Sequence, residues 1–192
     1  VVPLQLEDRQ SLFVVFRDNA EQPSRTVPEP VKTAVAEIVG PWQVQFQANR
    51  GAPDAVVLDN LQSLSEHAEP GIKHFSGVAT YSKQFDLLTA VKPGQSLLLD
   101  LGDIGDVAEV RVNGQLAGTA WKKPYQVDIG KLVKAGSNSL EVRVANLWVN
   151  RLIGDAQPDA TKVAYTTFKT YLPSAPLRPS GLIGPVKLLS TD

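Results

Sequence analysis

Apolar and polar residues alternate with a period of two through much of this chain, in short runs separated by Gly, Pro, Asn and Asp. In Glu109-Val110-Arg111-Val112 every second position is apolar, and the run leads into Asn113-Gly114, a dipeptide that supplies both positive-φ positions of a type I′ turn. With Gln115-Leu116-Ala117 on its far side, this segment predicts a β-hairpin. Leu140, Val142 and Val144 alternate with Glu141 and Arg143 and predict a half-buried strand. Leu97-Leu98-Leu99-Asp100-Leu101 is almost continuously apolar, which fits a strand covered on both faces or set deep in a sandwich. Further strands are predicted over 35–39, 42–46, 77–85, 125–129 and 185–190, and Gly40-Pro41 separates the first two. Residues 11–17 are also rich in β-formers and are followed by a polar, Pro-bearing stretch over 18–30. Beyond one turn at Lys131-Leu132-Val133, no segment holds a helical period, so helix should be scarce.

Short strands at regular spacing imply an all-β chain folded as an antiparallel β-sandwich or barrel. A chain of 192 residues can bury one sizeable core. The expected division is an end strand of a preceding domain plus a linker over 1–30, then one sandwich module over 31–192. The 14 Gly and 14 Pro agree with a turn-rich chain. A net charge of −1 gives no electrostatic case for nucleic acid or an anionic membrane as partner. There is no apolar run long enough to span a bilayer and no signal segment at the N-terminus. The chain has no Cys, which removes thiol chemistry, and it opens on Val1 with no Met anywhere, as expected of a piece of a longer polypeptide.

Little catalytic chemistry is legible. Asp100, Asp103 and Asp106, spaced three apart around glycines, suit turns and strand ends better than a catalytic pair. His67 and His74 bracket Pro70-Gly71 and suit a surface loop better than a metal site. No nucleophile elbow, zinc-protease motif or phosphate loop is present. Trp121 and Tyr125, on either side of Lys122-Lys123-Pro124, could present an aromatic platform to a sugar ring, or they could pack as loop cover and core. Trp42 opens a strand and is expected in the core. Trp148, Asn150, Arg151 and Asp155 form the densest polar and aromatic cluster. Within it Trp148 is a further sugar-contact candidate, while Asn150, Arg151 and Asp155 are candidates for ordering a loop or meeting a neighbouring domain.

The stretch 75–85, then Leu98-Leu99-Asp100-Leu101-Gly102-Asp103, Val110-Arg111-Val112-Asn113-Gly114 with Gly118, and 128–140 resemble the sugar-binding domain of family 2 glycoside hydrolases. The likeness runs over about residues 40–145. Residues 146–155 and 179–186 are similar to the C-terminal region of family 106 α-L-rhamnosidase-like proteins, and 11–17 to the strand preceding this module there. The resemblance implies a galactose-binding-like jelly roll, an accessory to a catalytic domain whose carboxylates lie elsewhere, so this chain by itself is not expected to be an enzyme. It implies domain packing, a plant or bacterial glycan as partner, and a periplasmic or extracellular bacterial location. A lectin-like, autonomous carbohydrate-binding module is the alternative. No cofactor is expected. Jelly rolls of this type often hold a structural calcium, but no ligand set for one is legible.

Overall fold

The computed structural model describes residues 4, 6, 10–17, 19, 24, 30–92 and 95–191. Among these residues twelve strands run in the order β1 (Lys32–Glu37), β2 (Trp42–Phe46), β3 (Ala55–Leu58), β4 (Gly77–Leu87), β5 (Ser96–Asp100), β6 (Asp103–Ile104), β7 (Val107–Val112), β8 (Gln115–Ala120), β9 (Gln126–Asp128), β10 (Gly136–Asn146), β11 (Leu182–Gly184) and β12 (Lys187–Thr191). Two short helices interrupt them, α1 (Pro70–Lys73) and α2 (Val149–Asp155), with a 3₁₀ turn at Leu64–Glu66.

Strands β3-β2-β4-β10-β7-β8 form one sheet, β1-β12-β5-β9 a second, and β11-β6 a small third. Every ladder is antiparallel. The period-two pattern does the sorting, since a one-residue slip would turn each apolar set to solvent. Val142 on β10 lies between Tyr81 on β4 and Val110 on β7, and all three are fully buried. From the other sheet Leu97, Leu99, Val127 and Leu188 join the same apolar cluster. Each such side chain contributes about 1.5–3 kcal/mol by leaving water. The architecture is an all-β antiparallel sandwich. Trp42, as expected, lies in its core.

The hairpin turns where Asn113-Gly114 requires it, with φ of 51° and 78°. Leu97 to Leu101 behaves as a half-covered strand, because Leu98 is only partly buried between fully covered neighbours. Asn146 fastens the end of β10. Its amide donates to the carbonyls of Gly77 and Val144, and its Oδ1 accepts the Gly181 N–H at 2.6 Å, so the starts of β4 and β11 are held to one side chain.

Residues 11–17, expected as an end strand of a preceding domain, pair with no strand among the described residues, and Phe13 and Phe16 stand 90% and 85% exposed. A β-forming sequence needs a partner ladder for its backbone groups, which such a strand would find in that other domain. Most of the expected linker, 18–30, lies outside the described residues. One expectation changes at α2, which occupies a stretch expected to be loop. Its sequence, VNRLIGD, contains Gly, Asn and two β-branched residues, and Trp148 gives no side-chain cap. Burial of Asn150, Arg151, Ile153 and Asp155 therefore holds this helix, rather than propensity.

Candidate functional site

Helix α2 lies between two cavities, and its neighbouring residues Asn150 and Arg151 face one each. The first cavity, about 420 Å³, is lined by Asp103, Asp106, Lys123, Tyr125, Asn150 and Arg178 among others. Lys123 Nζ lies 2.5 Å from Asp103 Oδ1, and that contact raises the lysine pKa. Asp106 accepts the Leu147 N–H at 3.0 Å. Asn150 is spent on structure: its amide donates to Arg178 O and Ser180 Oγ, and its Oδ1 accepts the Arg178 N–H. Tyr125, half-buried at this wall, supplies a ring next to charged and hydrogen-bonding groups, the mixture that sugar recognition uses.

The second cavity, about 890 Å³, opens between α1, α2 and the irregular segment 157–177. Arg151 lies in its wall. The Arg151 N–H donates to buried Ser76 Oγ, and the guanidinium Nε is 2.9 Å from Asp155 Oδ1. The Nε–H points off that line, so the contact is an ion pair without a hydrogen bond. Asp155 instead accepts the N–H groups of Val163 and Ala164 at 3.1 and 2.7 Å, which fixes the start of the irregular segment. His74, beside it, bonds Pro70 O through Nδ1 at 3.0 Å. Burial, together with the charges of Arg151 and Lys73, holds its pKa below the ordinary imidazole range against the raising effects of the Pro70 hydrogen bond and Asp155.

The structure thus brings Tyr125 and Asn150 to one cavity and Arg151, with Asp155 behind it, to another. Trp148 joins neither lining and stacks its ring under the Arg50 guanidinium, 4.7 Å from the ring centroid. Trp121 is 54% exposed just after β8 and lines neither cavity. Sequence reasoning missed Arg178, whose part is played by its backbone, and Gly51, whose backbone makes room for Arg151 from 100 positions away. Neither carries a local signal. No cluster of three or more metal-ligating side chains occurs among the described residues, and none of their helices is long and apolar enough to cross a membrane.

The model of the family described as "Glycosyl hydrolase 2 galactose-binding domain-like" matches residues 33–174. The chain belongs to this family. As a galactose-binding-like domain it superposes on a rhamnosidase from Novosphingobium sp. PP1Y with a TM-score of 0.88 and 53% identity, covering 91% of this chain and 17% of that one. It is 36% identical to a protein of Formosa agariphila named "Putative beta-glucuronidase", over 85% of this chain and 16% of that protein. A beta-glucuronidase from an uncultured Clostridium sp. shares the fold at a TM-score of 0.59 and 18% identity, covering 88% of this chain and 30% of that one. The galactose-binding-like domain thus spans about a sixth of the first two relatives.

Proposed function

We propose that this domain is the non-catalytic accessory sandwich of a larger, α-L-rhamnosidase-like glycoside hydrolase, packing against the catalytic domain of the same polypeptide and offering the Tyr125 cavity to a glycan. The observation that carries this is the 53% identity to the Novosphingobium rhamnosidase, confined to 17% of that chain. Glycoside hydrolysis needs an opposed pair of carboxyl groups, which this reading assigns to the rest of the polypeptide. Exposed Phe13, Phe16, Tyr165 and Phe168 supply apolar surface suited to an interdomain contact. The same reading places the protein in the periplasm or outside the cell, with a plant or bacterial glycan as ligand.

The 420 Å³ cavity favours one competing function, an autonomous lectin-like module. Producing the longer polypeptide with and without residues 31–192 separates the two. An accessory packing role predicts a lower melting temperature for the remainder, restored on adding the module. A remainder that melts and turns over unchanged, beside a module that binds sugar alone, would favour the lectin.

A further inference from the structure

Arg151 is 94% buried by residue, and the protein does not satisfy its donors. Its Nε–H meets no acceptor, and among the described residues neither terminal nitrogen makes a hydrogen bond. The group is nevertheless held firmly. A Cβ at Gly51 would sit 2.7 Å from Nη1 and one at Gly154 2.5 Å from Nη2, so two glycine backbones clasp the guanidinium. The carboxylate that neutralises it, Asp155, is shared with the Val163 and Ala164 N–H groups. Asp155 already sits beside the buried Nε at 2.9 Å, so the donors open to a ligand are the two terminal nitrogens, which reach solvent and which no acceptor among the described residues engages.

The free edge borders the 890 Å³ cavity, whose lining also includes Lys73, Gln157, Asp159 and Thr161. A guanidinium fork matches the two oxygens of a carboxylate. Exposed Lys73 adds positive charge at the rim. Asp159 is a poor neighbour for a bare anion but an acceptor for hydroxyl groups, so the lining fits a carboxylate carried on a polyol. We propose that this cavity is a second binding site, for a uronosyl residue of an acidic saccharide, its carboxylate on Arg151 and its hydroxyls toward Asp159, Gln157 and Thr161. The site is separate from the Tyr125 cavity, and its failure would leave the accessory role standing.

The test is a titration of the 192-residue chain with D-galacturonate, D-galactose and acetate, followed by calorimetry and by the Arg Nε–H resonances. Galacturonate should bind with a Kd of about 1 mM, shift the Arg151 Nε–H signal, and exceed galactose by roughly tenfold or more. Arg151→Lys keeps the charge but loses the fork and should weaken galacturonate by roughly tenfold. Lys73→Gln, at an exposed position that leaves the fold intact, should weaken it about threefold. Equal binding of galactose and galacturonate would overturn the proposal. So would acetate competing as well as galacturonate, which would make the site a receptor for any carboxylate, such as one from a neighbouring domain. An Arg151 Nε–H signal unmoved at saturation, with Lys73→Gln unaffected, would also overturn it even if Arg151→Lys did not fold.

Discussion

Arg151 and Asp155 face each other across one turn of α2 with Nε and Oδ1 2.9 Å apart and side chains only 7% and 8% exposed. Such a pair stabilises little relative to apolar residues of the same shape, yet losing one member strands a buried charge. Arg151→Ala and Asp155→Ala should each cost about 3–5 kcal/mol, a fall in melting temperature of roughly 6–20 °C for a chain of this size. The double variant Arg151→Met/Asp155→Leu should cost much less than their sum. Thermal unfolding of the three variants checks this; single losses under about 2 °C would mean that the charges are hydrated.

Two positive-φ glycines should respond very differently to Ala. At Gly181, φ +81°, a Cβ would lie 2.3 Å from buried Tyr81 Oη and 2.7 Å from buried Leu64 Cγ. At Gly114, φ +78°, it would meet nothing. Gly114→Ala should cost only the backbone conformation, about 1–2 kcal/mol, and Gly181→Ala about 3 kcal/mol or more because the core must also shift. Denaturant unfolding of both variants would show the difference, and equal costs would contradict it.

How much was legible in the sequence follows from where each constraint lies. The Asn113-Gly114 turn and the alternation over Leu140, Val142 and Val144 are local, so strand and register could be inferred from a few residues. Helix α2 could not, because Gly, Asn and two β-branched residues weaken its propensity and its burial against Ser76, Arg178 and Ser180 depends on contacts 28 to 75 positions away. Residues 11–17 are strong β-formers, but a strand there depends on a ladder that no described residue supplies, and local sequence does not carry that partner. The Arg151 and Asp155 spacing suggested a pair, but the cavity it borders draws on 51, 70–74 and 151–177, which no motif joins.

Acid should loosen the α1–α2 contact through His74. Its pKa in the folded protein lies below the unfolded value, through burial and then the charges of Arg151 and Lys73, offset in part by the Pro70 hydrogen bond and Asp155. The unfolded chain therefore takes up the proton more readily, and stability present above about pH 6.5 is lost as pH falls through that value toward the folded pKa. His74→Gln should flatten the decline in melting temperature between roughly pH 7 and 5. An identical decline in the variant would rule His74 out as its source.

In the Tyr125 cavity, neutral-sugar binding should depend on the ring in the wall and not on the exposed indole outside it. Tyr125→Ala should weaken a neutral monosaccharide by roughly threefold or more, with Trp121→Ala near wild type. Calorimetric titration with L-rhamnose and D-galactose measures this, and the reverse order would move the site to the face bearing Trp121.

The central claim, an accessory module without chemistry of its own, is tested most directly by turnover. The purified chain, assayed with aryl α-L-rhamnoside and aryl β-D-glucuronide, should release aglycone no faster than buffer at any pH between roughly 4 and 8, because both carboxyl groups of a glycosidase are assigned elsewhere. Release that follows the chain through successive purification steps and falls in the Asp103→Asn or Asp106→Asn variant would contradict it.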